Sequence, residues 1–300
     1  MRIVVAGASG FVGAALVPAL RARGHDVRRL VRRAAAADDE ITWEPANGVI
    51  DARRLEDADA VINLAGENVA AGRWTTTRRE QILRSRVDAT RTLVAALLTL
   101  ARKPQVFLSA SAVGYYGDRG DEIVTEKSPI GMGFLPEVCL AWETHAEGAA
   151  RHGIRTVLLR FGTILSPEGG ALAKMLPLFR VGLGGRLGSG RQWMSWIARE
   201  DVVAGILCVL RDNLCSGPVN FVAPGAVTNA EFSTLLARTL HRPAVCPVPR
   251  WALRLAFGAM ADEALLSSTR VAPRRLLEMN FPFQYTSLDR ALRTFRMAAD

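Results

Sequence analysis

The segment Gly7-Ala8-Ser9-Gly10-Phe11-Val12-Gly13 constrains this chain more than any other. It is a GxxGxxG spacing set directly after an apolar run, RIVVA at 2–6. It leads directly into residues 11–23, where Phe11, Leu16 and Leu20 recur at helical spacing. The first glycine permits a tight turn and the second lets the backbone approach a pyrophosphate. The third lets the helix pack close to the strand. The helix start then offers free amides and a positive dipole end to the phosphates. This unit predicts a dinucleotide site around Gly7, Gly10 and Gly13, with Ser9, Phe11 and Val12 lining it.

The rest of the chain extends the same pattern. His25 to Val31, Asp59 to Ala65, Gln105 to Ser109 and Ile154 to Phe161 read as strands. Between them lie a long amphipathic helix over 76–101, carried by Ile82, Val87, Leu93, Val94, Leu97 and Leu98, and a second helix over 137–152. Ala34 to Ala37 reads as a surface loop. Strands alternating with helices predict an α/β fold, a doubly wound parallel sheet covered on both faces. After residue 162 the pattern changes. Glycines crowd the stretch from Gly169 to Gly190, around a short helix (171–181) and a short hairpin carrying Trp193 and Trp196. A helix (199–211) and a strand (217–222) follow, and the last 60 residues read as mainly helical. The expected division is a dinucleotide-binding domain over 1–165, its sheet completed by segments around 200–225. A smaller, mainly helical substrate lobe over 166–300 follows, including a C-terminal domain over 245–295.

The second strand ends Leu30-Val31-Arg32-Arg33. An NAD site usually places an acid there to accept from the ribose 2′-hydroxyl. Arginine instead suits a 2′-phosphate, through its planar fork. Val31, Arg32 and Arg33 therefore favour NADP(H); the competing reading is two solvated loop arginines in an arginine-rich chain. The net charge is +9, yet Lys103, Lys127 and Lys174 are the only lysines and the arginines are scattered. No basic strip interleaves with aromatics, which argues against a nucleic-acid partner and for a field that favours a phosphorylated small molecule. Cys139, Cys208, Cys215 and Cys246 show neither metal nor disulfide spacing. With no long apolar span and no leader pattern at the start, a cytoplasmic protein without a membrane segment is expected.

Several segments together resemble a known family: Asn63-Leu64-Ala65-Gly66-Glu67-Asn68, Ser109 to Gly117 (SASAVGYYG), Trp142-Glu143, the glycines around 181–190, Gln192 to Ile197 (QWMSWI), and the stretch from about 245 to 292. They are similar to the atypical extended branch of the short-chain dehydrogenase/reductase superfamily, the sugar-nucleotide epimerase-like branch of epimerase family proteins. The resemblance covers essentially the whole chain. It implies a Rossmann-type domain binding NADP(H) and a C-terminal lobe closing over a substrate cleft. It adds Asn63, Leu64, Ala65, Gly66, Arg86, Ser109 and Glu143 to the expected cofactor contacts.

Typical members of that superfamily use a serine with a Tyr-x-x-x-Lys pair, the tyrosine serving as acid or base beside the hydride. No such pair exists here. Cys139 stands at the tyrosine position, Glu143 at the lysine position, and Arg86 where relatives often carry asparagine. Ser111, or Ser109, stands near the usual serine. Ser111, Tyr116 and Cys139 are the candidates for chemistry. Cys139 reads more readily as a small buried apolar helix residue than as an acid or base, and Glu143 beside it would raise its pKa. Glu143 is expected to accept from ribose hydroxyls, and Arg86 to hold Glu143 or donate to the cofactor. Of Tyr115 and Tyr116, one donates a proton or both pack the loop. Trp193 and Trp196 line a pocket or pack the hairpin, and Asp201 is expected to cap its helix. Two functions follow. One is an NADP(H)-dependent oxidoreductase or epimerase-like protein acting on a small, phosphorylated or nucleotide-linked substrate. The alternative is a catalytically weak or inactive NADP(H)-binding sensor or regulator. Monomer and homodimer both stay open.

Overall fold

The computed structural model describes residues 1–297, so the last three positions of the expected 166–300 lobe lie outside the described residues. The strands are β1 (Arg2–Ala6), β2 (Asp26–Val31), β3 (Glu40–Glu44), β4 (Val49–Ile50), β5 (Ala60–Asn63), β6 (Val106–Ala112), β7 (Ile123–Val124), β8 (Arg155–Phe161), β9 (Thr163–Ser166), β10 (Trp193–Met194), β11 (Trp196–Ala198), β12 (Gly217–Phe221), β13 (Val227–Thr228) and β14 (Arg270–Val271). The α-helices are α1 (Gly13–Arg21), α2 (Thr76–Thr99), α3 (Phe134–Ala150), α4 (Gly170–Arg180), α5 (Arg199–Arg211), α6 (Asn229–Thr239), α7 (Arg250–Phe257), α8 (Arg274–Glu278) and α9 (Leu288–Met297).

Eight strands form one sheet in the order β12-β8-β6-β5-β1-β2-β3-β4. Every pairing is parallel except the last, β3 with β4. β1 shows why the sheet is buried on both sides. Its alternate residues face opposite ways: Ile3 and Val5 pack with Leu16 and Leu20 of α1 and Val202 and Ile206 of α5. Val4 and Ala6 pack with Ala89, Leu93 and Leu97 of α2 and Ala146 and Ala149 of α3. A strand with helices on both faces reads as a continuous apolar run, as RIVVA does. The chain leaves β1 for β2 on one side and reaches β5 on the other. That reversal opens a crevice at the carboxyl ends of β1 and β5, where open α/β sheets take their ligands. A third core holds Leu172 and Leu176 of α4, Phe232 and Leu236 of α6, and Leu292 and Phe295 of α9.

Three sequence expectations need correction. Trp193 and Trp196 do not share a hairpin: β10 pairs antiparallel with β13, whereas β11 pairs parallel with β9. Ser195 between them turns toward β14 instead. Its hydroxyl donates to the Thr269 carbonyl and accepts from the Val271 amide, both at 2.8 Å. Asp201 does not cap α5. It is buried in the first turn and accepts from the Gln284 and Tyr285 amides at 2.7 and 3.0 Å, tying the segment before α9 to the sheet domain. The edge strands β3 and β4 were not expected. β3 buries Ile41 and Trp43 and exposes Thr42 and Glu44, an alternation too short to stand out beside the alanine-rich loop.

Candidate functional site

The glycine turn is dictated by contacts. Gly7 has φ +77°, and a Cβ there would come within 2.7 Å of the Leu64 backbone. A Cβ on Gly13 would lie 2.2 Å from the Gly7 carbonyl oxygen, and one on Gly10 would lie 3.1 Å from it. No side chain caps α1, and its first turn holds no acid. Among the described residues, the Phe11 and Val12 amides donate to no protein acceptor. Uncapped amides at a helix start, backed by glycine, fit the pyrophosphate of a dinucleotide. Ser9 lies on the exposed outer part of this turn. The start of α4 reaches over it. Gly169 and Gly170, where α4 begins, sit against the Phe11 ring, and Lys174 of α4 donates to the Ala70 carbonyl at 2.6 Å.

At the end of β2 the two arginines part company. Arg33 is a bidentate partner of Glu40, at 2.7 and 2.6 Å. With a further bond from the Ala36 amide, that fork holds the buried Glu40 carboxyl down at about 2. Arg33 thus anchors the loop at 34–37. Arg32 is 76 % exposed, with Glu67 Oε1 at 3.8 Å, and its fork stays available beside half-buried Val31.

After β5, Asn63 fixes the turn. Its amide nitrogen donates to Thr90 Oγ1 at 2.9 Å, and its oxygen accepts from the Ala65 amide at 3.2 Å. Leu64 backs Gly7, and Gly66 lets the Arg86 side chain pass, where a Cβ would lie 3.3 Å from it. Arg86 donates to the Ile82 and Glu67 carbonyls, each at 3.0 Å, and lies over the Trp142 ring. Burial lowers its pKa, with nearby Cys139 and Glu67 opposing. It does not hold Glu143, contrary to one sequence expectation.

Arg160 does. Its Nε donates to Glu143 Oε1 at 2.8 Å and a terminal nitrogen donates to Oε2 at 2.7 Å. The Ser111 hydroxyl donates to the same Oε1 at 2.6 Å. The other terminal nitrogen of Arg160 donates to the Tyr116 hydroxyl at 2.9 Å, and that hydroxyl donates to Asn220 Oδ1 at 2.7 Å. Burial works against the Arg160 charge, but the bonds and charge of Glu143 outweigh it and raise its pKa. Ser111, Tyr116, Glu143, Arg160 and Asn220 are all buried. Ser109, on the same strand as Ser111, is fully buried, with its hydroxyl 3.4 Å from the Ala110 carbonyl. Both oxygens that Glu143 would offer to a ribose are already bonded inside the protein.

Arg160 is the residue that sequence reasoning misses. Its signal is a lone arginine inside VLLRF at 157–161, a charge that a buried strand carries only with a partner. Cys139 lies beside this network. Its thiol points to the Ala112 carbonyl at 3.7 Å, and burial first, then Glu143, pushes it up to about 12. Burial pushes the Tyr116 phenol up to about 12 as well. Tyr115 is placed differently: it is half-buried, and the Arg160 guanidinium lies 3.5 Å from its ring centroid. Trp196 is fully buried and donates to the Gly225 carbonyl at 2.7 Å, whereas Trp193 is half-buried and donates to Asp121 at 2.8 Å.

A cavity of about 350 Å³ lies elsewhere, between α4, α6 and α9, lined in part by Leu172, Leu236 and Phe295. None of the residues above lines it. Among the described residues no group of histidine, cysteine or acidic side chains could hold a metal, and no helix is long and apolar enough to cross a membrane.

Residues 3–220 match the model of the NAD dependent epimerase/dehydratase family. The chain belongs to that family. Residues 248–295 match a domain of unknown function, DUF1731. Among curated relatives, an epimerase family protein of Mycobacterium bovis is 45 % identical over 290 residues, covering 97 % of this chain and 96 % of its own. Among solved structures, the human epimerase family protein SDR39U1 (isoform 2), crystallised with NADPH, superposes with a TM-score of 0.89 at 34 % identity, covering 99 % of each chain. A nucleoside-diphosphate sugar epimerase of Corynebacterium glutamicum superposes with a TM-score of 0.81 at 34 % identity, covering 97 % of this chain and 57 % of that one. The epimerase-family resemblance and the Rossmann-type sheet expected from the sequence both stand.

Proposed function

We propose that this epimerase-family chain is a cytoplasmic NADP(H)-binding oxidoreductase or epimerase-like protein acting on a small, phosphorylated or nucleotide-linked substrate. The observation that carries the reading is the uncapped start of α1 over the glycine turn, with the exposed Arg32 fork, held only by a 3.8 Å contact to Glu67, beside it. The Phe11 and Val12 amides would take the pyrophosphate, and Arg32 the 2′-phosphate that distinguishes NADPH from NADH. That the human relative was crystallised with NADPH supports the same choice. When bound, the cofactor supplies a hydride. The segment 1–165 would hold it, and the lobe from 166 onward would cover the substrate, as Phe11 against Gly169 and Gly170 suggests. The scattered arginines suit a small anion rather than a nucleic acid.

Calorimetric titration with NADPH and NADH tests this directly. NADPH is expected to bind at least about tenfold more tightly than NADH, the worth of one charge-assisted contact. Gly10→Asp is expected to abolish binding by placing a carboxylate against the pyrophosphate; unchanged affinity in that variant would show that the site lies elsewhere.

One observation favours the second reading, a sensor or regulator. The side chains nearest the usual catalytic positions, Ser111, Cys139 and Glu143, are bonded to protein and buried. Tight NADPH binding, with no oxidation at 340 nm by a broad set of carbonyl compounds, would establish it.

A further inference from the structure

We propose that Tyr115 is the residue that exchanges the proton with substrate, held in place for that purpose by the buried Arg160–Glu143 pair. This rests on the hydride-transfer reading above and deepens it: the substrate is then a carbonyl compound, or the corresponding alcohol in the reverse direction.

Four groups stand where proton transfer would be sought, and the structure removes each. The Cys139 thiol faces the Ala112 carbonyl in a buried pocket and stays protonated across the neutral range. The Ser111 proton is directed at Glu143. Glu143 has both oxygens on Arg160. The Tyr116 hydroxyl is bonded on both sides, to Arg160 and Asn220, in a residue with no exposed surface.

Tyr115 has the opposite character. It lies in the single turn that follows β6, at the carboxyl edge of the sheet where ligands bind. Its ring is clamped. The Arg160 guanidinium covers one face at 3.5 Å, Tyr116 meets it at 84° with centroids 5.5 Å apart, and the Tyr115 carbonyl accepts from the Gly131 amide at 3.0 Å. Its hydroxyl has no hydrogen-bond partner among the described residues and is not among the buried polar atoms left unsatisfied. A ring fixed by its face, with the hydroxyl left free, is preorganised to act on something outside the protein.

Arg160 gains a purpose on this account. A guanidinium in a central strand is costly unless paired. Glu143 pairs it on one edge, which fixes the plane on which Tyr115 stacks. In the reduction direction the cofactor's hydride carries an electron pair to the carbonyl carbon. The carbonyl π pair moves to oxygen, the Tyr115 O–H bond breaks, and its proton completes the alcohol. The phenolate oxygen recovers a proton from solvent.

Tyr115→Phe tests the assignment without threatening the fold, because it removes one unbonded oxygen. Three readouts are taken on the full chain. Tetranitromethane, with peptide mapping, reports which of the three tyrosines is reachable. Tyr115 is expected to be nitrated while buried Tyr116 and Tyr285 are spared. Calorimetry with NADPH is expected to give the same affinity in both proteins. NADPH oxidation is then followed with a panel of aldehydes, ketones and nucleotide-linked keto sugars. The variant is expected to lose about 100-fold or more in kcat, with KM little changed. Tyr115 resisting nitration overturns the assignment, as does turnover in the variant equal to that of the parent. If the parent binds NADPH but oxidises it with no member of the panel, the hydride-transfer reading fails and takes this assignment with it.

Discussion

Cys139 shows how far a residue's place in a motif can differ from its chemistry. By sequence it is set at the position of the family's catalytic tyrosine, yet a buried thiol pushed up to about 12 offers almost no thiolate at neutral pH. Native protein treated with iodoacetamide at mildly alkaline pH is therefore expected to leave Cys139 unmodified, and unfolded protein to lose that protection. Peptide mass mapping reads both states. Arg32 and Arg33 make the same point about neighbours. Arg33→Ala would leave the buried Glu40 carboxylate with only Arg29 and the Ala36 amide, so it should lower the urea midpoint and leave cofactor preference nearly intact. Arg32→Ala should do the reverse, lowering the NADPH-to-NADH affinity ratio by about tenfold with unchanged stability. An unaltered ratio would make Arg32 a surface charge only.

Among the elements, β8 and α3 are joined by charge as well as by packing. Arg160 comes from the strand and Glu143 from the helix, at register with Ser111 of β6. Removing one partner leaves the other buried and unpaired. Arg160→Met is expected to cost about 3–5 kcal/mol in urea unfolding, and pairing it with Glu143→Leu to recover much of that loss. If the double variant is no more stable than the single one, the ion pair is not what sets the stability there. Asp201 joins α5 to the segment before α9 through two backbone amides. Asp201→Ala should speed hydrogen exchange at Gln284 and Tyr285 while exchange within α5 is unchanged. Faster exchange in α5 itself would restore the capping role that the sequence suggests.

At the scale of the molecule, the sheet order places the glycine turn, the end of β2 and the turn after β5 around one crevice, with α4 reaching over it. Most of that was legible beforehand. Apolar runs such as RIVVA, with helical spacing between them, can be buried only as parallel strands between two helix layers, and GxxGxxG can lie only between the first strand and its helix. These are local constraints, written within a few residues of one another. Tertiary structure decided what distant residues share. It separated Trp193 from Trp196 by giving each strand a remote partner, turned Asp201 from its own helix to a segment 83 residues away, and brought Arg160 to Glu143. A buried charge must find its counter-charge wherever the fold puts one, and spacing along the chain does not say where. The sequence by itself therefore determined the layered sheet and the place of the phosphate turn. Only the folded chain closed the network on Ser111, Tyr116 and Glu143 and left the Tyr115 hydroxyl without a partner among the described residues, because burial and bonding of side chains are properties of the assembled interior.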